Sequence, residues 1–185
     1  STLFPSATLF RCEDEEELTE VAFRSVTQGR GVVARGNPSL RRFVMPNLVE
    51  SGSIEFSDSG LEGTLDFSSL EVLNSHLNIS RNDNLREVRL DSLVETDQEI
   101  VFMNNASLET IRLDSLESSP GYMSISGNSS LREIDMPELT NQGRFMTLRD
   151  NESLTTVRIP QLESVGDPDT AQYLWSSLHL SGNPQ

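Results

Sequence analysis

The chain has 185 residues, 35% of them hydrophobic, and a net charge of -15 because 29 acids outnumber 14 basic residues, every one of them Arg. That acidity sets aside nucleic acid and anionic membrane surfaces as partners, since both are polyanions. The absence of lysine removes Schiff-base and Walker-type phosphate chemistry, no apolar run approaches the ~18 residues of a membrane span, and Cys12, the only cysteine, has no partner for an internal disulfide.

The first thirty residues differ from the rest. Asp14, Glu15, Glu16 and Glu17 precede Leu18, Val21 and Ala22, a pattern that predicts a short helix with its acids in the first turn, favourable for the helix dipole. Leu18, Val21 and Ala22 would share one face and close the apolar end of the repeating segment. Cys12 is expected to be a small buried residue there.

From Gly31 to Val165 the chain repeats. Asn37, Asn82, Asn105, Asn128 and Asn151 each precede a Leu by three residues (Leu40, Leu85, Leu108, Leu131, Leu154), and from Asn82 to Asn151 the step is 23 residues each time. A fixed period in this range marks a coil whose windings stack. Before each Asn stands an alternating apolar pair, such as Leu77/Ile79, Ile100/Phe102 or Met123/Ile125, and after each Leu a second pair, such as Val88/Leu90, Ile111/Leu113 or Val157/Ile159. One further apolar residue follows three positions on: Leu48, Leu93, Leu116, Leu139, Leu162. The irregular winding with Ile54/Phe56 and Leu65/Phe67 places its equivalent of the Asn at Asp58 or Ser59. Alternation with period two reads as two short strands per winding, each with one buried face. Parallel crossovers are right-handed in the great majority of cases, so the expected fold is an all-β, right-handed parallel β-helix, a rod roughly 30 Å long at about 4.8 Å per winding.

The constant spacing of Asn has a physical reason. Asn tolerates left-handed backbone angles at a corner, its amide bonds to nearby main chain, and stacked amides bond from winding to winding. Asn37, Asn82, Asn105, Asn128, Asn151 and, at the end, Asn183 are therefore read as a structural ladder.

After the regular windings, residues 166–177 form an insertion that carries Tyr173 and Trp175, a contact loop or a cover for the apolar end of the rod. Residues 178–185, with Leu178 and Leu180 ahead of Asn183, begin a further winding, which a neighbouring domain or a partner would cover.

The stretch from Leu131 to Leu154, and with it most of Gly31 to Val165, resembles the receptor L domain, the module of insulin- and epidermal-growth-factor-type receptors and of fungal cell-wall glycoproteins. It differs from ordinary leucine-rich repeats in having Leu three residues after Asn instead of two, and a strand next instead of a back arm. The resemblance implies one L-domain-like unit over residues 1–185, outside the cell or on its surface, with a non-catalytic recognition or adhesion role toward a protein or glycan. In such domains the broad sheet face meets ligand. Here that face is expected to carry Val33/Arg35, Glu55/Ser57, Asn78/Ser80, Val101/Met103, Ser124/Ser126, Thr147/Arg149 and His179/Ser181 outward, with Asn78, Val101, Met103, Thr147, Arg149, Tyr173 and Trp175 as ligand-contact candidates. A fragment of a carbohydrate-active β-helix enzyme and a structural spacer are the alternatives. No catalytic, metal or cofactor constellation is expected: Glu55 stands alone on the face, and His76 and His179 are several windings apart. The second sheet's Arg89, Arg112, Asp135 and Arg158, flanked by Glu87, Asp91, Asp114 and Glu133, read as salt-bridged solvent cover. Of the sequons at Asn78, Asn105, Asn128 and Asn151, only Asn78 lies off the ladder, where a glycan would find room.

Overall fold

In the computed structural model, residues 8–166 and 178–184 are described; Tyr173 and Trp175 lie outside them. The chain winds as an all-β solenoid of parallel strands, with no helix among the described residues. The broad sheet has eight strands: Leu9–Glu13, Gly31–Arg35, Ile54–Ser57, Leu77–Ser80, Ile100–Met103, Met123–Ser126, Met146–Arg149 and Leu178–Ser181. Every neighbouring pair in it is parallel and in register, so that Ile54, Leu77, Ile100, Met123 and Met146 lie in one inward row. A second sheet holds Gly63–Asp66, Leu85–Arg89, Thr110–Arg112, Glu133–Asp135 and Thr156–Arg158, and Glu20–Ala22 pairs with Arg42–Val44 in the windings before it.

Each winding contains three strands where the sequence predicts two. The third sheet stacks seven two-residue strands, from Gln28–Gly29 through Glu95–Thr96 and Asn141–Gln142 to Ser164–Val165. Its inward row is mostly polar, with Ser51, Thr96, Ser119 and Gln142 buried, and Leu73 and the half-buried Val165 its apolar members. Two residues per winding with a small hydroxyl facing inward leave no alternating hydrophobic signal.

The spacing of Asn and Leu is the signature of a β-turn. The Leu N–H donates to the carbonyl of the Asn three residues earlier, at Leu85–Asn82, Leu108–Asn105 and Leu131–Asn128, at 3.0–3.1 Å, and both residues are buried. The apolar residue three places past the second strand closes an equivalent turn, as in Leu93 to Leu90 and Leu116 to Leu113. Both turns thus bury the side chain at each of their ends.

The amide ladder is present and runs unbroken from Asn82 to Asn183. Each Asn Oδ1 accepts the backbone N–H of the rung one winding earlier: Asn105 from Asn82, Asn128 from Asn105 and Asn151 from Asn128, all at 3.0 Å, and Asn183 from Asn151 at 3.1 Å. Each Nδ2 donates to a main-chain carbonyl of the preceding winding, Asn105 to Ile79 at 2.9 Å and Asn128 to Phe102 at 3.0 Å. The left-handed residue is not the Asn, however. It is the residue before it: Gly36, Asp58, Arg81, Asn104, Gly127, Asp150 and Gly182 all have positive φ. The corner therefore divides its work, with one residue taking the backbone reversal and the next satisfying the freed donors and carbonyls. Asp58 holds the reversal in the irregular winding, and Ser59 is its rung, giving its N–H to Asn82 Oδ1 at 3.2 Å.

The expected N-terminal helix is absent. Asp14 has φ of 56° and Glu15 donates its N–H to Asn37 Oδ1 at 3.0 Å, so residues 14–18 are the corner of a first winding in which Glu replaces Asn. The row of acids suits a helix N-terminus, but here it lies along a corner instead. Leu18 and Val21 do pack against the core, while Ala22 is exposed. Cys12 is half-buried rather than buried.

The core runs the length of the coil and includes an aromatic group, Phe43 against Phe56 edge-on at 4.8 Å with Phe67 at 5.9 Å from Phe56. Toward the last windings the inward pairs lose cover. Val157 is 39% and Leu180 58% exposed, because Thr156–Arg158 and Leu178–Ser181 are edge strands with a neighbour on one side only.

Candidate ligand-recognition face

Strict register turns alternate residues of the broad sheet into straight outward rows. One row runs Glu55, Asn78, Val101, Ser124, Thr147, His179, and the next Ser57, Ser80, Met103, Ser126, Arg149, Ser181. Five of the seven contact candidates, Asn78, Val101, Met103, Thr147 and Arg149, thus fall on one face, on the strands Leu77–Ser80, Ile100–Met103 and Met146–Arg149.

The face is less open than alternation alone suggests. Val33, Ser57, Ser80, Val101 and Ser124 are buried at 4–9% exposure, Met103, Asn78 and Thr147 are half-buried, and Arg149 is exposed. Small outward side chains between larger ones make a floor, and the larger ones rise around it. Asn78 Oδ1 is buried without a hydrogen-bond partner, although the residue lies in the outward row and is half-buried as a whole. Arg149 Nε donates to Ser181 Oγ at 3.1 Å, and Ser124 and Ser126 share a hydrogen bond at 3.2 Å.

One wall of this floor lies outside the alternating pairs that the sequence shows. The residue just before each inward pair forms another outward row, His76, Glu99, Tyr122 and Phe145, and its carbonyls bond to the preceding winding, Tyr122 to the Ile100 N–H and Phe145 to the Met123 N–H, each at 3.0 Å. Tyr122 and Phe145 stack with centroids 5.0 Å apart and planes 12° apart. They precede the apolar pairs by one residue, so they read as connection rather than strand. Burial, and then the Glu99 carboxylate, raise the Tyr122 phenol above its ordinary pKa.

The face is polarised along the coil. In its early windings Arg35 Nε donates to Glu55 Oε1 at 2.6 Å, its other nitrogen engages Glu55 Oε2, Glu13 lies 3.6 Å from Arg35, and His76 Nε2 is 3.8 Å from Glu55. Glu55, the lone acid of the row, is thereby held by a guanidinium rather than set opposite a second acid as general acid–base hydrolysis needs. Later windings carry fewer charges, Glu99 and Arg149, and set Val101, Met103, Tyr122 and Phe145 beside serine hydroxyls.

The second sheet carries ion pairs, as its charges imply: Arg112 to Glu87 at 3.1 Å, Arg158 to Glu133 and Asp135, and Arg89 to Asp91. Exposed pairs of this kind contribute only tenths of a kcal/mol up to about 1 kcal/mol each. Among the described residues no group of three or more His, Cys, Asp or Glu is placed to hold a metal ion, and no helix is long and apolar enough to cross a membrane. Comparison of the chain with protein-family models, with curated proteins and with solved structures found no match in any of the three.

Proposed function

We propose that this solenoid is a non-catalytic recognition or adhesion module of the receptor L domain kind, right-handed in its winding, which works outside the cell or at its surface and holds a protein or glycan on its broad sheet. The observation that carries this reading is the sparsely charged, aromatic part of the face. There Val101, Met103 and the Tyr122–Phe145 stack lie beside Asn78, Ser124, Ser126 and Thr147 on strands locked in register. Apolar and aromatic anchors among a few hydrogen-bonding groups on a rigid support are the composition of binding surfaces. The tied-up Glu55 supports recognition over hydrolysis.

The test is to probe the immobilised protein against arrayed glycans and arrayed extracellular proteins, beside Met103→Arg on the face and Arg112→Ala on the second sheet. Ligands lost with Met103→Arg and kept with Arg112→Ala support the reading. Ligands indifferent to Met103→Arg, or turnover of any arrayed polysaccharide, overturn it.

A further inference from the structure

We propose that the depression at the corner between the third and broad sheets seats a cationic side chain of an extended, basic partner segment, against the free face of Tyr122 and between Asp97 and Glu99. The depression encloses about 340 Å³ and is walled by Asp97, Glu99, Pro120, Gly121, Tyr122 and Arg144. It adjoins the broad face but does not rest on the recognition role proposed for that face.

Its shape is fixed by the windings beneath it. A Cβ on Gly121 would stand 2.3 Å from the Gln98 carbonyl, so the chain there lies directly on the previous winding, where only glycine fits. Gln142 Nε2 holds the Gly121 carbonyl from behind at 2.7 Å, and the Asp97 N–H is bonded to the Leu73 carbonyl at 3.2 Å. Phe145, one winding later, covers one face of Tyr122 in a near-parallel stack. The opposite face turns back toward the winding that carries Glu99. A cation there meets a ring face, which attracts it through the ring quadrupole, and a carboxylate together.

Charge complementarity selects the partner. On the second sheet Glu87, Asp91, Glu133 and Asp135 are each answered by an arginine, whereas Asp97 and Glu99 have no ion-pair partner among the described residues. The third sheet continues the imbalance, with Glu71, Glu117 and Glu163 exposed in one row on alternate windings and Glu95 beside them. A row of unanswered acids leading to an aromatic-walled depression fits several cations spaced along one segment, and it draws such a segment in from a distance. Arg144 also lines the depression, and its charge works against the seat.

The probe is a labelled peptide of alternating Lys and Gly, titrated by fluorescence anisotropy at low and at physiological salt. Asp97→Asn with Glu99→Gln preserves size and removes two charges. Asp114→Asn with Glu138→Gln removes the same charge from the corner between the second and third sheets. The first pair and Tyr122→Leu should each weaken binding about tenfold, the loss of a desolvated cation–π contact and its paired carboxylates; the second pair should change it less than about twofold, and Arg144→Gln should tighten it. Equal losses from the two acid pairs, an unchanged affinity in Tyr122→Leu, or no binding by the unmodified protein would each overturn the proposal. Far-ultraviolet circular dichroism of every variant separates a lost seat from a lost fold.

Discussion

Asn105→Ala is the sharpest probe of what holds the windings together. Asn105 is fully buried, and its amide makes four contacts: Oδ1 accepts the Asn82 N–H at 3.0 Å and Asn82 Nδ2 at 3.4 Å, while Nδ2 donates to the Ile79 carbonyl at 2.9 Å and to Asn128 Oδ1 at 3.1 Å. Alanine strands one buried main-chain donor, the Asn82 N–H, and takes the side-chain partner from the Ile79 carbonyl, which lies in a strand paired on both sides. A donor left unpaired costs roughly 1–3 kcal/mol, so the variant should lose about that much, a sizeable part of the roughly 5–15 kcal/mol of a whole domain. The assay is urea denaturation followed by circular dichroism. Stacked windings couple mainly to their neighbours, so a lower slope beside a lower midpoint would show the coil dividing at the missing rung. Asn105→Asp sharpens the case. A carboxylate keeps the acceptor for Asn82 but faces the Ile79 carbonyl and Asn128 Oδ1, so its pKa should rise above the unfolded value of about 3.9. Stability of this variant should be greatest below that value and fall as pH rises through the folded pKa. An Asn105→Ala protein within about 0.5 kcal/mol of the parent, below the cost of even one stranded group, would refute the ladder as a source of stability.

Gln142 is buried with Oε1 unpartnered, as is Ser119 Oγ in the neighbouring winding, and Leu73 fills the same inward row. Gln142→Leu should therefore stabilise the protein by about 1 kcal/mol in thermal or urea denaturation, freeing the Gly121 carbonyl for Ser119. Two glycines should rank against backbone intuition. Gly127 has φ of 70°, but its added Cβ meets the movable Asn104 side chain, so Gly127→Ala should cost about 1–2 kcal/mol. Gly121→Ala drives into the Gln98 main chain and should cost more, at least about 3 kcal/mol, as melting temperatures would show. The Cys12 thiol is raised above its ordinary 9.0 by burial, then by Glu15 and Glu13. It should alkylate more slowly at pH 8 in the native than in the denatured chain, and its share of stability, complete below 9.0, should be lost as pH rises through the folded value.

How much of the fold could be read from the sequence depends on what repeats. The inward pairs and the Asn rungs recur at 23 residues, and a structure of identical stacked windings must write that period into its core. The first winding escaped because Glu15 bonds through its backbone to Asn37 Oδ1 and needs no amide of its own. The acids around it then copy the pattern of a helix start. The third sheet escaped because its buried row of Ser51, Thr96 and Ser119 is polar: Ser51 and Thr96 each hold the carbonyl two residues on at 3.0 Å, a local task that carries no hydrophobic signature. Tyr122 and Phe145 could have been found by aligning the residue ahead of each inward pair, where two aromatics in succession stand out from His76 and Glu99.

The constant offset between rungs has a consequence for making variants of this protein. Because each amide oxygen serves the N–H one lap earlier at the same separation, a whole lap is an interchangeable cassette. Copying residues 105–127 in tandem should lengthen the shaft by one strand spacing, about 4.8 Å, with all main-chain partners still matched. Inserting a single residue into a broad-sheet strand would instead swap its inward and outward sets, so the molecule tolerates growth by laps far better than growth by residues.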